Sequence, residues 1–164
     1  MVEERYVIDT SSLIDLNRYN PIDLFPSVWN KIDHLVKTEQ LVSHIEVFKE
    51  LSRKDDLLFK WAKTYKDLFK HYTKRQVEIV QKILEKYPSI INPNSQYSAD
   101  PWIIALAVEL NEERTQKTLI KVKWLVVTEE QLKGNRVRIP LICKEYNIDY
   151  LKIFDLFRRK GWKF

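Results

Sequence analysis

The chain has 164 residues, of which 45% are hydrophobic and 31% are charged, and its formal net charge at pH 7 is +5. This length and balance favour one globular domain over residues 1–164 and exclude a fibrous or disordered chain. Only two glycines and one cysteine, Cys143, occur, which excludes glycine-rich phosphate loops, an internal disulfide and a multi-cysteine zinc site.

Membrane and secretory functions are also disfavoured. No apolar run approaches the roughly 18 residues that a membrane-spanning helix needs. Met1 to Arg5 include two acids and no apolar signal core. We therefore expect a cytoplasmic protein with no membrane partner. The positive charge is compatible with RNA as a partner, because lysine and arginine release counterions when they bind phosphates.

A strand followed by a helix is predicted at the start of the chain. The apolar run 6–8 stops at Asp9, and the apolar-periodic segment 11–17 that follows is typical of a short helix. Asp9 is then expected at the carboxyl end of a buried strand, where open α/β sheets place their ligands. A second helix is predicted from Pro26, because proline suits the first helical position and apolar residues then recur at helical spacing.

The next predicted strand, 40–43, leads directly into a helix that ends near Leu51. Ser43 and Glu46 have the spacing of a capping box, in which the hydroxyl binds the third helical amide. Glu50 lies one turn after Glu46 on the same helix face. The alternative to a functional role is capping alone for Glu46 and an ordinary solvated side chain for Glu50.

One long helix is predicted over 57–87, with a single break near Thr73, and a short strand is predicted at 90–91. Asp100 precedes Pro101 and a nearly continuous apolar run, which predicts that Asp100 is the N-cap of a buried helix. Capping uses one carboxylate oxygen and leaves the other free. An N-cap role and metal binding are therefore compatible.

The clearest strand is predicted over 119–127, and it stops at Thr128, Glu129 and Glu130. A helix over 140–146, a strand over 148–150 and a helix over 153–159 complete the prediction. Strands that alternate with helices imply parallel strands joined by right-handed crossovers. The expected fold class is therefore α/β, with three layers in the order helix, sheet, helix.

Four acids occupy comparable strand–helix junctions in this prediction. They are Asp9, Glu50, Asp100 and Glu130. Because the carboxyl ends of parallel strands share one edge of a sheet, we expect these carboxylates to meet and to repel one another. A divalent cation relieves this repulsion, and an all-oxygen ligand set suits Mg²⁺ or Mn²⁺. The side chains expected to orient the carboxylates or bound waters are Thr10, Ser11, Glu46 and Thr128.

Such a site is typical of phosphodiester hydrolysis, in which an ion lowers the pKa of a bound water and stabilises charge on the leaving oxygen. Arg136 and Arg138, on the loop after Gly134, and His44, near the acids, are the candidate RNA contacts. The alternative for the two arginines is exposed turn charge.

Four segments, taken together and in this order, resemble the PIN domain. They are residues 7–11 (VIDTS), 47–51 (VFKEL), 100–107 (DPWIIALA) and 126–130 (VVTEE). The resemblance spans almost the whole chain. It implies a parallel sheet of about five strands between helices and a ribonuclease that depends on Mg²⁺ or Mn²⁺.

The resemblance also assigns roles to residues. It makes Asp9, Glu50 and Asp100 the core metal ligands and places Glu130 at the fourth acidic position, where the family usually has aspartate. Ser11 and Thr128 match its hydroxyl positions. A second departure from the family is the Pro101-Trp102 pair after Asp100.

Many PIN proteins are VapC-like toxins that a cognate antitoxin inhibits and that form homodimers. The resemblance therefore implies an RNA substrate, an antitoxin partner and a possible homodimer. Two other functions stay open. One is a PIN-like module without catalysis that binds RNA or protein. The other is a DNA-directed nuclease, which is disfavoured because the chain lacks room for DNA-clamping elements.

Overall fold

The computed structural model describes residues 2–54, 56–91, 98–117, 120–134 and 136–164, and the structural statements below concern these residues. Five strands form one sheet: β1 (Val2–Ile8), β2 (Leu41–His44), β3 (Phe69–Lys70), β4 (Lys121–Val127) and β5 (Tyr150–Leu151). Every pair of neighbouring strands is parallel, and the strand order is β3-β2-β1-β4-β5.

Helices within the described ranges flank this sheet: α1 (Thr10–Tyr19), α2 (Pro26–Lys37), α3 (Ile45–Leu51), α4 (Leu57–Thr64), α5 (Lys74–Lys86), α6 (Asp100–Lys117), α7 (Ile139–Glu145) and α8 (Ile153–Arg159). The predicted α/β fold, with a central parallel sheet of five strands between helices, is confirmed. None of the described helices has the length and apolar content needed to cross a bilayer.

The predicted helix over 57–87 is wrong in its middle. The helix ends at Thr64, and a 3₁₀ turn (Lys66–Leu68) leads into β3, which pairs with β2 through Phe69 and Ser43. The adjacent side chains of Leu68 and Phe69 are both buried. The contact of Phe69 with a distant strand therefore overrides the local helical period.

The short strand predicted at 90–91 is also wrong. Pro88–Ile90 forms a 3₁₀ turn at this position, with proline in its first position. Proline has no backbone N–H for a strand ladder, whereas it suits the start of a helical turn. The number of strands was therefore predicted correctly, but the third strand lies about 20 residues earlier in the chain. Of the strand predicted at 119–127, residue 119 lies outside the described residues, and β4 begins at Lys121.

Both faces of the sheet are covered, because the central strands are buried at consecutive positions. Tyr6 to Ile8 in β1 and Leu125 to Val127 in β4 are at most 1% exposed. Continuous apolar runs of this kind are typical of parallel strands that pack helices on either side. The two runs also lie side by side in the sheet, since Ile8 pairs with Val127.

The strand order creates a crevice at one edge of the sheet. The chain runs from β1 outward through β2 to β3, returns to the other side of β1 as β4, and continues to β5. In open α/β sheets such a reversal separates the connections of two neighbouring strands and leaves a crevice at their carboxyl ends. Here those strands are β1 and β4. Asp9 and Thr128, the residues that follow the Ile8–Val127 pair, therefore lie side by side.

A side chain replaces a strand partner where β5 is too short to cover β4. Strand β5 pairs only with Val126 and Val127. At Trp124, the side-chain amide of Asn111 in α6 accepts a hydrogen bond from the backbone N–H (2.9 Å) and donates one to the carbonyl oxygen (3.0 Å). Asn111 thus satisfies both backbone groups of a residue that is only 7% exposed.

We expect Asn111→Ala to lower the free energy of unfolding by about 2 kcal/mol, because two backbone groups of Trp124 lose their partners. Urea denaturation measures this as a lower midpoint with an unchanged m value. Asn30→Ala, on the exposed face of α2, is the matched control and should change stability by less than about 0.5 kcal/mol. Equal midpoints for the two variants would contradict the role of Asn111.

Candidate functional site

Asp9 joins β1 to α1 and is almost completely buried, with 2% of its surface exposed. Its backbone is extended (φ −90°, ψ 175°), and its carboxylate caps α1 by accepting a hydrogen bond from the Ser12 N–H at 2.9 Å. An aspartate is well suited to this position, because its short side chain reaches back to a free amide of the first turn. The cap holds the Asp9 carboxylate at the crevice between β1 and β4.

Two hydroxyl groups complete the surroundings of the Asp9 carboxylate. The Ser11 hydroxyl lies 2.9 Å from both carboxylate oxygens, and the Thr128 hydroxyl donates to Oδ2 at 2.6 Å. Thr128 follows β4 and is 1% exposed. The pairing of β1 with β4 thus brings Thr128 to Asp9 and Ser11, which are already neighbours in the sequence.

The environment of Asp9 opposes its ionisation. Burial raises its pKa to about 7, while the hydrogen bonds from Thr128, Ser12 and Ser11 lower it and the charge of Glu130 raises it. Desolvation disfavours a carboxylate, whereas donors favour it. In the absence of a cation, the Asp9 carboxyl group therefore titrates near neutral pH.

Glu50 ties the starts of two helices together. It lies in the last turn of α3, and its Oε2 accepts a hydrogen bond from the Thr10 hydroxyl of α1 at 2.5 Å. Its Oε1 accepts a hydrogen bond from the backbone N–H of Ala99, the residue before α6, at 2.8 Å. Because Asp9 precedes Thr10 and Asp100 follows Ala99, this bridge sets the positions of both aspartates.

Asp100 is the first residue of α6 and not the residue before it, as the predicted N-cap required. The residue before the helix is Ala99, whose carbonyl oxygen accepts a hydrogen bond from the Ile103 N–H at 2.9 Å. Pro101 thus occupies the second helical position. Proline is tolerated anywhere in the first turn, so the dipeptide alone did not determine which residue began the helix.

The charges of the four acids interact at Asp100. Burial raises the pKa of Asp100 well above its ordinary value, and the nearby carboxylates raise it further, in the order Glu130, Asp9 and Glu50. The structure therefore brings Glu130, Asp9 and Glu50 within electrostatic range of Asp100.

The nearby carboxylates also affect the thiol of Cys143. Burial raises its pKa, and the carboxylates of Asp9 and Glu130 raise it further. The side chain is fully buried in α7. Cys143 therefore packs as a neutral, apolar residue behind the acids.

The two glutamates after β4 have different partners. Glu130 accepts a hydrogen bond from the Ile139 N–H at the start of α7 (2.9 Å), and its own N–H donates to the Thr128 hydroxyl (3.1 Å). Glu129 accepts hydrogen bonds from the Ser12 hydroxyl (3.3 Å) and from the Ile153 N–H at the start of α8 (2.9 Å). The prediction missed Ser12 and Glu129, and no local signal marks them, because their partners lie 24 and 117 residues away.

The capping box predicted for α3 is wrong. The N-cap is His44, whose Nδ1 accepts a hydrogen bond from the Glu46 N–H at 3.1 Å. The Ser43 hydroxyl donates to the Ile8 carbonyl oxygen at 2.7 Å and thereby joins β2 to the end of β1. The carboxylate of Glu46 accepts hydrogen bonds from Lys49 Nζ, at 3.4 Å, and from the Tyr72 hydroxyl. The spacing of a capping box was present, but the serine was used by the sheet.

The prediction that His44 contacts RNA is also wrong, because its side chain is fully buried. It stacks on Trp102 with ring centres 5.2 Å apart, and its Nε2 lies 2.9 Å from Oε1 of Gln76. Burial lowers its pKa to about 4. His44 is therefore neutral at pH 7, with Nδ1 as the acceptor and the Nε2–H donating to Gln76.

Of the two predicted arginines, Arg138 is tied to the acids through its neighbour in the sequence, Ile139. Arg138 is the half-buried residue immediately before α7, and Glu130 binds the first N–H of that helix. Arg136 is exposed, and its N–H donates to the Lys133 carbonyl oxygen at 3.1 Å. Asn135, between them and Gly134, lies outside the described residues.

The donor chemistry of the four acids fits Mg²⁺ or Mn²⁺, which prefer carboxylate oxygens. The mutual repulsion at Asp100 is also of the kind that a divalent cation neutralises. Within the part of the chain that the structure describes, however, no three carboxylate, imidazole or thiol groups are already arranged as ligands of one ion. The oxygens of Asp9 and Glu50 are bound by protein hydroxyl and amide groups. The metal site therefore stays a prediction.

Comparison with known proteins identifies a family but no function. Residues 6–164 match the family model described as a domain of unknown function, DUF4411. No curated protein and no solved structure matches the chain. The matched region runs from β1 to the C-terminal residue and contains all four acids. The chain therefore belongs to the DUF4411 family.

Proposed function

We propose that this protein is a PIN-like endoribonuclease that hydrolyses phosphodiester bonds with the help of Mg²⁺ or Mn²⁺. The observation that carries the proposal is the nearness of three carboxylates, Glu130, Asp9 and Glu50, to Asp100, whose pKa they raise. Like charges in a buried site lower the stability of the folded state, so these acids do not serve the structure alone. A bound cation removes their repulsion, and the free energy that is released favours cation binding.

The residues that would hold the ion are Asp9, Glu50, Asp100 and Glu130. A bound ion supplies Lewis-acid stabilisation of the phosphoryl oxygens and a water of lowered pKa. The chain itself sets the positions of its carboxylates: Ser11 and Thr128 orient Asp9, and Thr10 orients Glu50. Release of the protons held by Asp9 and Asp100 prepares the site for a cation.

RNA is the preferred substrate for two reasons. The net charge of +5 favours a polyanion, and the four segments that resemble the PIN domain point to a ribonuclease. The same resemblance extends the proposal to the toxin half of a toxin–antitoxin pair, with an antitoxin partner and a homodimer.

The test is cleavage of a mixed pool of single-stranded and structured RNA by the purified protein with Mn²⁺ or Mg²⁺. We expect cutting in the presence of either ion and none in EDTA. Cutting that persists in EDTA would overturn the metal dependence. RNA that is bound but never cut, with both ions and all RNA classes, would favour the non-catalytic RNA-binding module.

Thr128→Val tests how Asp9 is oriented. The variant keeps the shape of the side chain and removes the hydroxyl that donates to Asp9, so we expect cleavage to fall by about 10–100-fold. That hydroxyl lowers the pKa of Asp9. Its loss raises this pKa further, and the acid limb of the pH–rate profile moves to higher pH.

The matched control for this variant is Thr64→Val, which removes an exposed hydroxyl that donates to the Lys60 carbonyl oxygen in α4. Its profile should coincide with that of the unmodified protein. An acid limb that stays in place in Thr128→Val would show that Asp9 does not govern the rate.

A further inference from the structure

A cleft opens beside the acids, between α1 and the junction of α3 with α4, and its volume is about 420 Å³. We call it the cationic cleft and define it by Thr10, Asn17, Arg18, Glu50, Arg53 and Lys54, which line it. Thr10 and Glu50 are hydrogen-bonded to each other at 2.5 Å and belong to the candidate site. The cationic cleft is therefore lined by one of the four acids, Glu50.

The cleft runs along α1. Thr10, Ile14, Asn17 and Arg18 line one side of it and share one face of α1 by their spacing. Arg18 is eight positions after Thr10, which corresponds to about 12 Å along a helix. The cleft thus begins at a carboxylate and ends at a guanidinium, one nucleotide or more away from the acids.

Three basic side chains, Arg18, Arg53 and Lys54, line the cleft. The acid Asp56 also lines it, and its carboxylate accepts a hydrogen bond from the Phe59 N–H as the N-cap of α4. Arg18 is also 3.3 Å from Asp15, but its side chain is 61% exposed. Exposed pairs of this kind are weak and exchange readily for a stronger anion.

The inner walls of the cleft are partly apolar. Ile14, Leu51 and Leu58 line it beside the charged groups. An apolar wall next to cations suits a nucleotide, which combines a flat base and a ribose with a charged phosphate. The volume is that of a small-molecule pocket, which one nucleotide fills and a duplex does not enter.

We propose that the cationic cleft holds a single strand of RNA on one side of the bond that is cut, with Arg18 and Lys54 neutralising backbone phosphates. This inference rests on the proposed function and adds the path of the substrate to it. The four acids repel a phosphate strand, whereas the cations that line the cleft give the strand a point of attachment that needs no metal. Binding should therefore persist in EDTA, where cleavage does not occur.

The experiment measures binding of a fluorescent single-stranded RNA in EDTA by anisotropy over a series of salt concentrations. Each phosphate contact on a single strand contributes about 0.7 to the slope of log K against log salt. Arg18→Gln/Lys54→Gln removes two cations, so we expect weaker binding and a slope smaller by about 1.4.

The matched control is Arg158→Gln/Lys82→Gln, which changes the net charge equally. Arg158 pairs with Asp155 at a spacing of three residues, as Arg18 does with Asp15, and it is 76% exposed. Lys82 lies exposed on α5, which packs against α6 and lies apart from the cleft. We expect the control to keep the slope of the unmodified protein.

Three results would overturn the inference. The first is an equal slope for the two double variants, and the second is the absence of RNA binding in EDTA. The third concerns polyglutamate, used as an acidic polypeptide in the same binding assay: Arg18→Gln/Lys54→Gln loses polyglutamate binding but keeps RNA binding. The last result would identify an acidic peptide as the occupant. Equal slopes together with metal-dependent cleavage would overturn only the proposal that RNA binds in the cationic cleft. Absence of cleavage together with the expected change in slope would overturn only the proposal that the protein is a nuclease.

Discussion

Asp9→Asn is expected to lower metal-dependent RNA cleavage by more than about 100-fold, since loss of a residue that merely supports a metal ligand already costs about 10–100-fold. Asparagine keeps the shape of the side chain and can still accept from the Ser12 N–H and the Ser11 hydroxyl. It removes the negative charge at the crevice between β1 and β4. Initial rates on a cleavable RNA with Mn²⁺ measure the effect.

Loss of activity in Asp9→Asn must be separated from loss of the fold, and the raised pKa of Asp9 allows this. Its pKa is about 7 in the folded protein and 3.8 as an ordinary value. Between these values the folded state binds more protons than the unfolded state, so stability in EDTA falls as pH rises from about 4 to about 7, by on the order of 4 kcal/mol from this group.

The asparagine variant lacks this loss of stability. At pH 8 in EDTA, Asp9→Asn should therefore unfold at a temperature equal to or above that of the unmodified protein, while it does not cleave RNA. A variant that unfolds early at pH 8 would contradict the raised pKa. A variant that is stable and still cleaves RNA would remove Asp9 from the site.

Glu129→Gln is the matched control for the acids, because Glu129 is adjacent to Glu130 in sequence. Its carboxylate binds Ser12 and the start of α8, and glutamine retains the acceptor oxygen for the Ile153 N–H. We expect Glu129→Gln to retain cleavage and Glu130→Gln to lose it. The reverse pattern would move the fourth acidic position to Glu129.

Saturating Mn²⁺ is expected to raise the unfolding temperature of the protein by about 5–10 °C. An ion at 100 times its dissociation constant stabilises the folded state by about 2.7 kcal/mol, and each kcal/mol shifts a chain of this size by about 2–4 °C. The cause is that a divalent cation cancels the repulsion that raises the pKa of Asp100. Thermal unfolding followed by circular dichroism, with reversal by EDTA, measures the shift.

The shift should grow from pH 6 to pH 8, because the cation competes with the protons that Asp9 and Asp100 retain at low pH. Asp100→Asn is expected to abolish most of it. Asp155→Asn, which alters an exposed acid of α8 that pairs with Arg158, should leave it unchanged. Equal shifts in the two variants would place the bound Mn²⁺ elsewhere.

The sequence alone was sufficient for the fold class and for the junctions after β1 and β4, where Asp9 and Glu130 lie. Glu50 instead lies in the last turn of α3, and the described element before Asp100 is the 3₁₀ turn Pro88–Ile90 and not a strand. The second halves of β1 and β4 are continuous apolar runs that stop at Asp9 and Thr128, so the hydrophobic pattern marks the end of each strand. The start of α2 at Pro26 and the whole of α8 were likewise predicted from local spacing. These features depend on neighbours within one or two turns, and such neighbours are visible in the sequence.

Only the tertiary structure decided the features that depend on partners far along the chain. Phe69 lies in a strand because it pairs with Ser43 of β2, although the local hydrophobic period is helical. Ser43 was taken from its predicted capping role by the Ile8 carbonyl oxygen, 35 residues away. The burial of His44 among Trp102 and Gln76 likewise required α5 and α6 to be in place.

The division between Glu129 and Glu130 shows the same limit most clearly. Both residues are glutamate, both follow Thr128, and the sequence treats them alike. The start of α8 binds Glu129, and the start of α7 binds Glu130 beside Asp100. The sequence predicted that acids would gather at the carboxyl edge of the sheet, without distinguishing these two. Long-range hydrogen bonds, which exist only once the helices have docked, decided which acids meet there.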